Sequence, residues 1–416
     1  MEVSTRPARP VTYLRSLGPL ERFFWRYTER NPTHFLLVAE FDRTLRADHV
    51  RKALDAVQRR HPLLSAHVHD DPELGLGFYQ ADHVAPIDLT VHRGLDWQSI
   101  AAEELARRFS RMAAPLMRAT LVDHDNSSTL LLTFDHSIAD GISSVLVLDD
   151  VLAAINGATP PPLALPMSQE DLARRTLDSP PQVEMSMQQG DPRLAVPVSV
   201  RPFESTPPHL QSVEMSDDDT TCLIRRCREE RATVHGAIVT AASHVRALES
   251  GERYVRTYSP INIRELLGQG PDCCLRIGSA CTGMAPAEGA DFWTQARAVN
   301  GQLNFAKSDA GVLMGTELVE QRLPTDAGCD AAERFFCTTL PFELLITNLG
   351  VQHLTESGPV RPRAIWGPIV LAQIEREQVI GVITYGGRLR MVCCGHTPTP
   401  GFLHNVRERL RDASRC

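Results

Sequence analysis

The residues most suited to chemistry lie together in Thr133-Phe134-Asp135-His136-Ser137-Ile138-Ala139-Asp140-Gly141. An apolar run, Leu130-Leu131-Leu132, precedes them, and Ile142, Val145, Leu146 and Leu148 follow with helical spacing. A histidine is thus delivered where a strand ends and a helix begins, on a short loop between rigid elements. Gly141 is expected to let the backbone turn there without a Cβ clash. An imidazole titrates near neutral pH, so His136 suits a general base. The bland alternative is a hydrogen-bonded strand-end histidine, with Asp140 as a helix N-cap. Asp135, His136 and Asp140 could also offer metal ligands, but their spacing defines no coordination geometry and no second His/Cys/Glu cluster accompanies them, so no metal is expected. Ser143-Ser144 lacks the Gly-x-Ser-x-Gly elbow of a serine nucleophile.

The surrounding elements must hold that loop. Apolar spacing predicts an amphipathic helix within 13–28, a strand at 34–41, a helix over 48–60 stopped by Pro62, and strands at 63–69 and 87–91. A helix over 97–112 and strands at 116–122 and 129–134 follow, and this interleaving argues for an α/β sandwich. From 160 to 208 prolines recur among Ser, Gln and acidic residues, a connection that cannot form its own core, with one short helix at 168–176. Beyond it, Ser216 with Asp217, Asp218 and Asp219 opens a helix to 231, and a second helix spans 234–248. Strands are expected at 254–263, 275–282, 343–347, 369–373, 379–385 and 389–394, with Gly386-Gly387 as a hairpin turn, and helices at 292–305 and 402–410. No fixed-period repeat is present, which excludes a solenoid.

The 416 residues suggest two domains. A net charge of -8 argues against a nucleic-acid binder. No apolar run reaches the roughly 18 residues that span a bilayer, and the N-terminus has no signal-peptide pattern. Ten cysteines without a Cys-x-x-Cys spacing are read as small buried apolar residues in a reducing, cytoplasmic compartment.

Several local patterns, in order, resemble the chloramphenicol-acetyltransferase-like superfamily, which includes condensation domains, plant HxxxD acyltransferases and polyketide-associated (Pap-type) acyltransferases. They are Arg51 to Val57 with Arg60-His61-Pro62-Leu63-Leu64, Pro115-Leu116-Met117-Arg118-Ala119, His136 to Gly141, Leu148 to Leu152, Pro260-Ile261-Asn262-Ile263-Arg264, and Thr347-Asn348-Leu349-Gly350. The resemblance implies an α/β fold of two chloramphenicol-acetyltransferase-like sandwich lobes with a central channel between them. The lobes would be 1–165 and 213–416, joined by 166–212. It implies an O-acyltransferase moving an acyl group from a CoA or acyl-carrier-protein thioester to a hydroxyl of a polyketide, lipid or other secondary metabolite. No cofactor would be permanently bound; acyl-CoA or a phosphopantetheinyl acyl carrier protein would be co-substrate. His136 would be the base, Asp140 would pair with Arg264 to support the loop beside Gly141, and Asn348 and Thr347 would be candidates for oxyanion or substrate contact. Asn348 could equally be a turn residue, and Arg264 could instead bind an acid or a CoA phosphate.

Two features depart from the family. Condensation domains carry two adjacent histidines, and the first is Asp135 here. The plant-type Asp-Phe-Gly-Trp-Gly segment is missing, with Trp366-Gly367-Pro368 roughly in its place or simply packing on the core. The alternatives are therefore a condensation-type, amide-forming enzyme on carrier-bound substrates and a non-catalytic carrier-binding module. An acidic carrier would need a basic patch, for which Arg225, Arg226, Arg228 and Arg231, or Arg107, Arg108 and Arg111, are candidates; the plainer reading is a solvated helix face.

Overall fold

A computed structural model describes residues 11–81, 84–111, 114–178, 191–268, 270–286 and 291–415. Within them the chain forms a five-stranded sheet, a six-stranded sheet and a small three-stranded sheet. In the five-stranded sheet, Ser128–Phe134 runs between Phe35–Phe41 and Met117–Asp123, antiparallel to both, with Asp88–Arg93 at one edge. The other edge is Ala364–Val370, which the second half of the chain contributes, pairing antiparallel with Phe35–Phe41. The boundary between lobes in space therefore does not follow the boundary along the chain.

The six-stranded sheet explains the long apolar runs of the second half. In Gln378–Tyr385, Ile380 and Val382 enter a core shared with helices Val234–Ser250 and Phe402–Ala413, whereas Val379 and Ile383 enter the core continuous with the first lobe. Leu344 and Ile346 divide from Leu345 in the same way on the neighbouring strand Leu344–Val351. Side chains alternate across a strand, so both faces of this sheet are buried and no polar alternation is left to read.

Several expectations change at their boundaries. The segment expected as one helix at 13–28 is a strand, Val11–Ser16, then helix Pro19–Arg30. The strand expected at 63–69 starts with a 3-10 turn, Pro62–Ser65, and Gly75–Ala81 pairs with it as an unforeseen hairpin partner. The helix expected over 97–112 stops at Ala106. Arg118 causes this: its Nη2 donates to the carbonyls of Glu104 at 2.9 Å and Arg107 at 2.7 Å, drawing the chain off the helical path. The strand expected at 369–373 is Ala364–Val370 instead, with Gln373 in a left-handed turn (φ 62°). Two helices, Asp309–Arg322 and Cys329–Thr339, and strand His209–Glu214 were not foreseen. The short helix in the connection is present as Gln169–Thr176, capped by Ser168. Among the described residues eight cysteines are free thiols, and Cys222 departs from the expectation by being disulfide-bonded.

Candidate active site

His136 lies two residues past the end of Ser128–Phe134, a strand hydrogen-bonded on both sides. Asp135 shapes its loop: the Asp135 amide donates to Leu116 O at 3.0 Å, and its Oδ1 accepts from Ser137 N at 2.9 Å and Ser137 Oγ at 2.6 Å. The imidazole stacks on Phe24 with ring centroids 4.0 Å apart and planes 9° from parallel, and Phe35 closes on it at 4.9 Å. Nδ1 is buried with no hydrogen-bond partner among the described residues. Aromatic packing therefore orients the ring, where a triad would use a carboxylate. Burial lowers its pKa below the ordinary histidine value, opposed by the nearby charge of Asp140. The ring is neutral at neutral pH, which is the state a base needs.

Asp140 has other partners. Oδ1 accepts from Ser143 N at 2.7 Å, capping helix Gly141–Ile155, and from Arg264 Nη2 at 3.0 Å; Oδ2 accepts from the Arg276 amide at 2.8 Å. Ser143 Oγ joins them, accepting from Arg264 Nη2 at 2.8 Å and Cys274 N at 3.2 Å. Asp140, Ser143, Arg264 and Arg276 are all buried. The structure thus brings Asp140 and Arg264 together, and the network bolts the first lobe's helix start to the second lobe. Ser143 and Arg276 lay outside the motifs, and only their types, a polar residue after an N-cap and an arginine near an Arg–Asp pair, hinted at this.

Gly141 is needed for a different reason from the one expected. It does not adopt a left-handed conformation; instead a Cβ there would stand 2.7 Å from Leu349 Cδ2 and 3.3 Å from Pro368 Cγ. At this close approach of the two halves a Cβ would push the tip of the Leu349 side chain aside. Asn348 and Thr347 lie on the same strand as Leu349 and line the same cavity as His136. Asn348 Oδ1 accepts from Gly350 N at 2.8 Å, forming a local turn as its residue type allows. Trp366 donates to Glu40 Oε1 at 3.1 Å and packs near Trp97, in a stretch where the strand register shifts at Gly367 and Pro368.

The cavity lies at the seam and is open to solvent, with about 90 Å³ of room for the centres of water-sized groups. Phe23, Phe24 and Phe35 line it from the first lobe, and Tyr258, Ile261 and Leu345 from the second. The Tyr258 hydroxyl is pushed up to about 12 by burial and stays protonated. Pro260, Ile261, Asn262 and Asn348 also wall a second cavity that holds His235 and Lys307, so the two spaces share a partition.

Of the two arginine groups, Arg228 and Arg231 are exposed, and the other five are engaged with neighbouring groups. Arg107 pairs with Asp88 at 3.2 Å, Arg108 donates to Glu29 O at 2.9 Å and lies on Phe203, and Arg111 lies over Trp25. Arg225 and Arg226 reach Glu229 on their own helix, and Arg226 also pairs with Glu230 at 2.8 Å. Among the described residues no three His, Cys, Asp or Glu side chains group as metal ligands. No helix among them is long and apolar enough to cross a membrane.

No family model matches the chain. Among curated proteins, the vanchrobactin synthetase VabF of Vibrio anguillarum is 36% identical over 128 residues, 27% of this chain and 4% of that protein's length. Solved structures match along the whole chain. Polyketide synthase associated protein 5 from Mycobacterium tuberculosis has a TM-score of 0.69 at 18% identity, covering 98% of this chain and 99% of its own. The trichothecene 15-O-acetyltransferase TRI3 from Fusarium sporotrichioides gives 0.69 at 10% identity, covering 100% and 98%. The first condensation domain of the CDA synthetase gives 0.68 at 12% identity, covering 99% and 97%. The chain therefore has the two-lobed α/β fold of chloramphenicol-acetyltransferase-like acyltransferases and condensation domains.

Proposed function

We propose that this chain is an O-acyltransferase with His136 as general base. One observation carries the reading: a half-buried, neutral imidazole, held by the rings of Phe24 and Phe35, lines an apolar cavity between two lobes. His136 would take the proton of an acceptor hydroxyl as that oxygen attacks the thioester carbonyl. The tetrahedral intermediate would then collapse, breaking the carbon–sulfur bond, and the leaving thiolate would receive the same proton from the imidazolium. An ester and a free thiol result, with no acyl-enzyme. Such a base contributes about 10²–10⁴-fold, and holding both reactants in line at the seam supplies much of the rest.

Asn348 and Thr347 would contact the oxyanion or substrate. Asp140, Arg264 and Gly141 would support the site without touching reactants. The aromatic and aliphatic lining suits an acyl chain or polyketide surface, offered as a CoA or acyl-carrier-protein thioester to a small-molecule alcohol. The identity to a synthetase segment and the shared condensation-domain fold support a second reading, amide formation between carrier-bound substrates.

The test offers acyl-CoA and acyl-carrier thioesters with alcohol or amine acceptors and weighs the products by intact mass. Ester formation that falls at least about 100-fold in His136→Ala is the expected result. Amide products would move the assignment to the second reading. Turnover unchanged in His136→Ala would end both.

A further inference from the structure

Asp135 occupies the position at which this sequence departs from the paired histidines of condensation domains, and its carboxylate is wholly enclosed, at 0% exposure. Oδ1 is engaged in the turn that carries His136. Oδ2 makes no hydrogen bond among the described residues and faces Arg111 Nε at 3.5 Å. The guanidinium of Arg111 lies over the Trp25 ring, 3.4 Å from its centroid, with Nε and Nη2 buried and without a hydrogen-bond partner among the described residues. Trp25 directly follows Phe24, the ring on which the imidazole stacks.

A single guanidinium thus touches both pieces of structure that fix the imidazole: its loop, through Asp135, and the helix bearing its stacking ring, through Trp25. Stability alone does not account for this choice. A buried ion pair with imperfect hydrogen bonding is often no better than an apolar pair of the same volume. We infer that Asp135 and Arg111 are positioning residues for His136, holding its loop and the Phe24–Trp25 turn of helix Pro19–Arg30 in one fixed relation. The inference rests on the reading of His136 as the base.

The charged groups nearest the imidazole belong to its own loop: Asp135, facing Arg111, and Asp140, neutralised by Arg264. Helix Pro19–Arg30 presents Phe24 and Tyr27, strand Phe35–Phe41 presents Phe35, and the opposite lobe presents Tyr258, Thr347 and Asn348 across the cavity. The pKa values of both tyrosines are raised, so none of these is charged at neutral pH. Asp135→Asn keeps an oxygen for the turn and removes the charge. Arg111→Met keeps bulk over Trp25 without charge, and Arg111→Lys keeps the charge without the planar stack.

The experiment follows carbethoxylation of His136 by diethyl pyrocarbonate against pH, read by peptide mass spectrometry, alongside turnover and thermal melting. In Asp135→Asn the reactivity midpoint should move to lower pH by about half a unit or more. In Arg111→Met, kcat should fall about tenfold or more with little change in KM, and Arg111→Lys should recover part of it. A merely structural role would lower the melting temperature and leave kcat, corrected for the folded fraction, unmoved in both variants. That result would overturn the inference. If the parent protein turns over no thioester at all, the acyltransfer reading fails, while the rate of His136 carbethoxylation at high pH, changed in Arg111→Met or equal to the parent's, still decides the positioning of His136.

Discussion

At the scale of the residue, His136 is kept neutral by enclosure. Its ring lies between two phenylalanines, and burial outweighs the favourable charge of Asp140, so the folded-state pKa lies below the ordinary value of 6.5. A base is active when unprotonated, so a lowered pKa moves the rise in activity toward acid. The ascending limb of kcat/KM should therefore be centred below pH 6.5, leaving activity flat through neutrality. A pH–rate profile at subsaturating substrate reads this directly, and a limb centred above 7 would contradict it. The histidine was legible in the sequence because it falls in a short local pattern, and the pairing of Asp140 with Arg264 only through the family resemblance that such patterns carry. Phe24 was not: it is one of several aromatic residues on an amphipathic helix, and its stacking on His136 is a long-range contact that spacing cannot encode. The pairing of Asp135 with Arg111 was hidden for the same reason.

At the scale of the element, strands with a single periodicity were legible and elements set by distant partners were not. The strand carrying His136 and both its sheet neighbours were readable as apolar runs. Helix Trp97–Ala106 was expected to be longer because nothing local shows that Arg118 captures its last carbonyls. Strand Ala364–Val370 was misplaced because its partner is the far-upstream Phe35–Phe41 and its register shifts at Gly367-Pro368. Gly141 shows the same limit, since its necessity comes from Leu349 across the seam. This yields a test. Gly141→Ala should lower stability by about 1–3 kcal/mol, the usual cost of overpacking, in chemical denaturation. Shortening the opposing side chain with Leu349→Ala in the same molecule should recover part of that loss. If Leu349→Ala leaves the effect of Gly141→Ala unchanged, the two side chains do not meet across the seam as the structure describes.

At the scale of the whole molecule, the connection between halves does more than span a gap. Its helix Gln169–Thr176 places Leu172 and Ala173 in the second lobe's core, and Gln169 exchanges hydrogen bonds with the Ile277 backbone at 2.9 and 3.1 Å. Glu170 reaches the other way, accepting from Leu20 N at 2.9 Å at the start of helix Pro19–Arg30, which carries Phe24. The docked carboxyl is buried beside Glu21, and burial first, then that neighbouring charge, raises its pKa from 4.5 to about 7. Between those two values the folded state holds a proton that the unfolded chain has lost. Stability must then fall as pH rises from about 4.5 through about 7 and level off above, by on the order of 3 kcal/mol from this one group. Glu170→Gln keeps an acceptor for Leu20 and removes the titration. Urea denaturation of parent and variant at pH 5 and pH 8 should show the variant gaining on the parent at the higher pH. An equal difference at both values would mean that Glu170 is charged where it docks, and that the seam is held by an ionised carboxylate rather than a neutral acid.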